Sequence, residues 1–403
     1  MNNFQPIHLY KKSVQIVFLL VFIPIFGQEG LGLFLNSSEH TIMSETLNEK
    51  RKYIVSLPNS YNSGITNYPV MLVLDGDYHV HSASTTLEVM SKEGQIPEMI
   101  IVAVVTDENR TRDLTPTKSL IGYDRKDNSK WQKNSGGGKQ FLEFIETELF
   151  PEIAKNFRTK NYNIFVGHSL GGLSAAESYL TSTLFNAYIA IDPALFWDDN
   201  YIIEKINSLS LRLTEKKRFY FSGASNYNDT TQKIDRMRTS HELFYASLKN
   251  AGMSSQNVKF QILENEDHNS APLVSLYYGL KFIFKGFTME SIHSKTIDDI
   301  VAHYNKLSNN LGVSFLPPEN VINNVAWSRF NSNHHDEAFE FFKMNVKNYP
   351  LSHMVHEMIG YAYNNSGRSK EAITHFKKSV GLNKNQNEVK RINELIDRLE
   401  KQK

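Results

Sequence analysis

Cysteine is absent from all 403 residues. That excludes a disulfide framework, a thiolate metal site and a lipid-modified N-terminal cysteine, and fits either redox compartment. Neither charge is in excess: 44 basic side chains stand against 43 acidic ones. Nothing in that balance calls for nucleic acid as a partner. A long apolar run is missing too. The longest, Val14 to Phe26, is about 13 residues and is broken by Gln15 and Pro24. A membrane-spanning helix needs roughly 20 apolar residues.

What stands at the N-terminus is nevertheless informative. Lys11 and Lys12 precede the apolar run, which ends at Gly27-Gln28. A charged region, a short apolar region and a small residue in that order read as a secretory signal peptide over 1–27. The chain is therefore expected to be exported, to the periplasm or beyond; the alternative is an uncleaved anchor. Removing 1–27 takes away two lysines and no acid, so the net charge moves from +1 to −1.

The rest of the chain is organised around Phe165 to Gly172, FVGHSLGG. Gly167-His168-Ser169-Leu170-Gly171 has the G-x-S-x-G spacing of a sharp strand-to-helix turn. There the serine occupies a strained position, and glycines let strand and helix pass without a Cβ clash. Tyr162, Ile164, Phe165 and Val166 precede it as a buried strand, and small residues follow to Tyr179 as a helix. Apolar runs at Tyr68–Leu74, Met99–Val105, Ala187–Ile191, Arg218–Phe221 and Val258–Leu263 predict further strands. Helical spacing covers Ser82–Glu93, Phe141–Ile153, Tyr201–Leu209, Ile234–Ala251 and Leu273–Phe287. Strands alternating with helices predict an α/β fold with a doubly wound, mostly parallel sheet over 28–288. Ligands on such sheets bind at the carboxyl ends of the strands. The polar stretch Thr106–Gly138 is long enough to be a loop over that edge.

A hydroxyl at that turn is a weak nucleophile until a base takes its proton. Of 14 histidines, His268 alone directly follows the last strand of the sheet, where such a base is expected. His168 adjoins Ser169, but its side chain is expected to point elsewhere and shape packing. The acid that would hold the imidazole is open between Asp229, in the loop after Arg218–Phe221, and Asp192, at the end of Ala187–Ile191. A third possibility is a Ser–His pair with no carboxylate. Two backbone N–H groups should meet the developing oxyanion: that of Leu170, and one from the Asp75-Gly76-Asp77 turn. Asp75, Asp77, His79 and His81 alternate as metal ligands would on a strand, but Gly76 interrupts them and no glutamate or cysteine completes a set. No metal and no organic cofactor is expected.

Beyond a loosely patterned 289–318, ending in Pro317-Pro318, a 34-residue period appears. Ala326 pairs with Gly360, Trp327 with Tyr361, Ala338 with Ala372 and Phe342 with Phe376; Lys384 stands where Pro350 would recur. That period predicts a small all-α domain of tetratricopeptide-like repeats over 319–403, closed by a polar-faced helix. It would bind a protein partner, self-associate, or cover an edge of the main domain.

Taken together, LDGD at Leu74–Asp77, Arg112-Asp113-Leu-Thr-Pro116, GHSLGG and EDHNSAPLVSLYYGLKFIF resemble the putative-esterase family of α/β-hydrolases, over about His40 to Phe287. That family includes esterase D-like enzymes, enterochelin-type siderophore esterases, feruloyl esterases and antigen-85-type acyltransferases. The resemblance implies Ser169 as nucleophile, His268 as base, and the N–H groups of Asp77 and Leu170 as oxyanion donors. It also implies a substrate pocket lined by Arg110, Arg112 and Trp197. Two departures bear on the acid. Gly223-Ala-Ser-Asn226 replaces the family's Gly-x-x-Glu, and Asp192 stands where many members carry serine. The function expected is an exported serine ester hydrolase working through an acyl-enzyme. The alternatives are acyl transfer to a sugar or lipid alcohol, and a catalytically weak scaffold whose repeats bind a partner.

Overall fold

A computed structural model describes residues 36–63, 65–106, 109–208, 217–225 and 236–401. The expected signal segment 1–27 and Asp229 lie outside these described residues. Eight strands among them build one sheet: β1 (Ser37–Ser44), β2 (Glu49–Ser56), β3 (Tyr68–Leu74), β4 (Ile100–Val104), β5 (Thr159–His168), β6 (Ala187–Ile191), β7 (Arg218–Ala224) and β8 (Val258–Leu263). Their order across the sheet is β1-β2-β4-β3-β5-β6-β7-β8. The β1–β2 and β2–β4 pairs are antiparallel and every other pair is parallel. β3, β4 and β6 are buried at every position, which their unbroken apolar sequences require once helices cover both faces.

The helices are α1 (Gly76–Lys92), α2 (Arg110–Leu114), α3 (Ser129–Gln132), α4 (Gly138–Phe144), α5 (Phe150–Asn156), α6 (Leu170–Thr181), α7 (Trp197–Ser208), α8 (Arg236–Asn250), α9 (Ala271–Ile283) and α10 (Ile297–Leu311). Five more follow: α11 (Glu319–Asn331), α12 (His335–Asn348), α13 (His353–Asn365), α14 (Ser369–Leu382) and α15 (Gln386–Lys401). A π turn, Ile145–Leu149, joins α4 to α5, so the apolar spacing from Phe141 to Ile153 does become one helical rod. The sheet separates two apolar cores. One holds Val73, Ile164, Val166 and Ile189 with α1, α9 and α10. The other holds Leu72, Phe165, Tyr188 and Phe221 with the rod, α6 and α8.

Two elements differ from expectation. The helix expected from Ser82 begins at Gly76, because Asp75 adopts a left-handed conformation (φ 52°) and its carbonyl accepts the N–H groups of Tyr78 and His79. Asp77, His79 and His81 thus lie on a helix and do not share a strand face. The loosely patterned 289–318 contains α10, opened by a Thr296–Asp299 capping box and stopped by left-handed Gly312. Its buried residues Ile300, Tyr304, Leu307 and Leu311, with Phe315 beyond it, continue the first core. Phe315 packs edge-on against Tyr162 (5.9 Å), Phe284 (6.1 Å) and Phe287 (5.9 Å).

The C-terminal region is all helical. α13 and α14 begin 34 residues after α11 and α12, the spacing read in the sequence. At Gly360 a Cβ would stand 2.7 Å from the Phe376 ring, which explains why a small residue recurs there. The region meets α1 where Asn320 Nδ2 donates to the Lys92 carbonyl, and Val321 fills the space a Gly94 side chain would need. The described residues belong to a single compact unit.

Phe315→Ala is expected to cost about 3–5 kcal/mol, the usual penalty for truncating a buried phenylalanine. Urea denaturation followed by circular dichroism should show one transition moved to lower denaturant. A C-terminal phase that separates in the variant would break the claim of a shared core.

Candidate active site

Gly167 is where strand and helix come closest: a Cβ there would lie 2.1 Å from the Gly171 carbonyl oxygen. Gly172 is equally constrained, since its Cβ would sit 2.7 Å from Pro193 Cβ. Between them Ser169 has φ 59° and ψ −115°, a conformation that persists only where its surroundings enforce it. The enforcement is visible. Ser169 N–H donates to the Ile191 carbonyl (2.9 Å), and Ala194 N–H donates to the Ser169 carbonyl (3.0 Å). The turn is thereby fastened to the end of β6, where Asp192 begins the next loop.

Asp192 is fully buried. Its Oδ1 accepts the Ala224 N–H at 3.0 Å, and its Oδ2 lies 2.6 Å from His268 Nδ1. A carboxylate only accepts, so Nδ1 carries the proton and Nε2 is left with a free lone pair. Behind Asp192 stands buried His241, whose Nε2 bonds the Pro193 carbonyl at 2.8 Å. A side chain at Gly223 would meet His241 Nδ1 at 2.8 Å. His268 is held by its own loop: Asp267 Oδ1 accepts the N–H groups of Asn269 and Ser270. Ser225 ties that loop to β7 by accepting the Asn265 N–H and donating its own to Glu266. The backbone donors hold the Asp267 carboxyl below its ordinary pKa.

The two expected oxyanion donors sit in first helical turns, Leu170 at the start of α6 and Asp77 one residue into α1. Such N–H groups have no acceptor within their own helix and point out of its positive end. Asp75, which caps α1, is gripped by Arg110 through Nε (2.8 Å) and Nη2 (2.9 Å). The same Nη2 reaches the His168 carbonyl at 3.3 Å. Thr106 Oγ1 also donates to Asp75.

The structure therefore draws together Ser169, Leu170, Asp192 and His268, with Asp77 and Arg110 on the neighbouring turn. Arg112 and Trp197 are engaged elsewhere. Arg112 donates to both oxygens of Glu49 and to Asp113, beside the buried Arg51–Asp113 pair (2.6 Å). Trp197 is buried in the core with its indole N–H on the Thr117 carbonyl (3.2 Å). Sequence reasoning missed the Arg110–Asp75 fork and His241, since neither has a fixed spacing from the nucleophile motif. It also set His168 aside. The alternation of β5 puts His168 on the face of Ile164 and Val166, and its ring centroid is 4.4 Å from that of His268.

Sheet order, the serine turn and the paired imidazole and carboxylate describe an ester hydrolase of α/β-hydrolase architecture. Residues 44–195 match the family model described as "Putative esterase". The ferri-bacillibactin esterase BesA of Bacillus subtilis is 28% identical over 262 residues, 60% of this chain and 87% of the relative. The apo-salmochelin esterase of Escherichia coli O6:H1 is 23% identical over 185 residues, 44% of this chain and 57% of the relative. Among solved structures, an IroE-like serine hydrolase from Shewanella oneidensis superposes with a TM-score of 0.67 at 26% identity, covering 77% of this chain and 98% of that one. An uncharacterised protein from Capnocytophaga ochracea shares the fold over 90% of this chain and 99% of its own, with TM-score 0.56 and 18% identity.

Burial holds the His168 pKa down to about 3, reinforced by His268 and His79. The unfolded chain binds that proton near the ordinary 6.5. Between the two values the unfolded state holds more protons, so stability falls as pH drops below 6.5. Denaturant titrations at pH 7 and pH 4.5 should show the parent losing more stability than His168→Phe; equal losses would contradict a His168 held neutral in the folded state.

Proposed function

We propose that the protein is an exported serine esterase that hydrolyses siderophore esters through an acyl-enzyme. The observation that carries the mechanism is the 2.6 Å contact of His268 Nδ1 with buried Asp192, at the strand ends that also present Ser169. With Nδ1–H donated to Asp192, His268 Nε2 accepts the proton of Ser169 Oγ as that oxygen attacks the ester carbonyl. The carbonyl oxygen becomes an anion facing the N–H groups of Leu170 and Asp77. Collapse expels the alcohol, which takes the proton from His268 Nε2. Water then repeats the sequence, giving its proton to His268, and the acid departs with Ser169 restored. Asp192 stabilises the imidazolium formed in each half and is the acid in this reading.

The substrate class is supported by the relatives, whose names specify bacillibactin and salmochelin. It is supported also by an aromatic pair near the Ala194 turn. Tyr123, in the long loop, packs edge-on to Phe196 at 5.1 Å, two residues from Ala194, which bonds the Ser169 carbonyl. Flat aromatic acyl groups pack well against such rings. Export rests on residues 1–27. The contact of α11 with the C-terminal end of α1 supports a covering role for the helical region.

Ser169→Ala should lower kcat for a p-nitrophenyl ester and for ferri-bacillibactin by about 10³-fold or more, with circular dichroism unchanged. Asp192→Asn should lower kcat by about 10²–10⁴-fold. Liquid chromatography of the ferri-bacillibactin digest measures both. Full turnover by Ser169→Ala would remove the nucleophile, and an unaffected Asp192→Asn would leave His268 without its acid.

A further inference from the structure

Among the described residues, one hydrogen bond holds the His268 ring. The Asp192 bond fixes Nδ1 but not the tilt of the ring plane about that bond. A second contact on a ring face would stop it. That face meets the ring of His168 at 4.4 Å between centroids, with 40° between planes. His168 is itself backed by His79, edge-on at 5.7 Å. Its Nε2 is buried without a hydrogen-bond partner among the described residues. It lies beside a small cavity whose walls include Val73, Ala83, Ile191 and Leu276. Hydrogen bonding at Nε2 therefore does not account for an imidazole in this place.

We propose that His168 is a positioning residue whose ring face holds the plane of His268, so that Nε2 stays directed at Ser169. This rests on the reading of Ser169 and His268 as nucleophile and base. The requirement is for a planar ring, not for an imidazole. A phenyl ring stacks in the same place, whereas a branched aliphatic side chain of similar bulk fills the volume without presenting a flat face. Because burial keeps His168 neutral, exchanging it for phenylalanine removes no charge from the site. The acid limb of the pH–rate profile should therefore keep its midpoint.

The experiment compares His168→Phe and His168→Leu with the parent in the full-length chain on a p-nitrophenyl ester. His168→Leu is expected to lower kcat by about ten- to a hundredfold with KM within twofold, the scale of a misdirected catalytic group. The rate of fluorophosphonate labelling at Ser169 should fall in parallel. His168→Phe is expected to stay within about threefold of the parent in both assays, as a shape requirement demands. If His168→Phe is as slow as His168→Leu while both keep the parent's thermal midpoint, the imidazole nitrogens matter and the proposal fails. It fails equally if His168→Leu is as fast as the parent. Should leucine prevent folding, His168→Phe alone decides, because a folded but slow phenylalanine variant contradicts the claim. Failure of the underlying mechanism is separable: it would appear as turnover by Ser169→Ala or His268→Ala, with His168 intact.

Discussion

The close passage of β5 and α6 is the constraint on which the rest depends. Gly167 and Gly171 stand so near that no side chain fits at the first, and Pro193 leaves none at Gly172. The chain can turn there only by placing Ser169 at positive φ, with the hydroxyl beyond the strand end. Two backbone hydrogen bonds to the Ile191–Ala194 segment hold that strain in place. Since the same segment carries Asp192, the turn and the carboxylate are positioned by one piece of backbone. Strain at Ser169 and placement of Asp192 are thus a single structural problem with a single solution.

Around that turn, charges are arranged to brace backbone. Arg110 spans the Asp75 carboxylate and the His168 carbonyl, joining the turns that open α1 and α6. Bidentate arginine–carboxylate geometry suits this, because it fixes orientation as well as distance. One layer further out, Arg51 and Arg112 enclose Asp113, with Glu49 closing the group. Such buried pairs add little net stability but are costly to break. Their effect is to specify where the long loop leaves β4.

Much of this was legible in the residues. Unbroken apolar runs disclosed the parallel strands, and G-x-S-x-G disclosed the turn, because both reflect steric rules that act within a few residues. The start of α1 was not legible: it depends on Asp75 going left-handed under the hold of Arg110, 35 residues away. The acid stayed open for a similar reason. Only the approach of the loop after β8, far along the chain, sets Asp192 against His268. α10 was missed because its capping box lies in a stretch where Pro317-Pro318 and loose patterning dominate. His168 was set aside because its role depends on a neighbour 100 positions on.

The aromatic seal formed by Phe315 has a bearing on when the molecule can become itself. Tyr162, in the middle strand of the sheet, is capped by a ring some 150 residues later in the chain. Pairings of that separation are slow to form, since the intervening loop must close before any contact rewards it. Until Phe315 arrives, Tyr162 and Phe284 have an uncovered flank. For the export proposed above, late closure of this seal would keep the chain translocatable without a dedicated restraint.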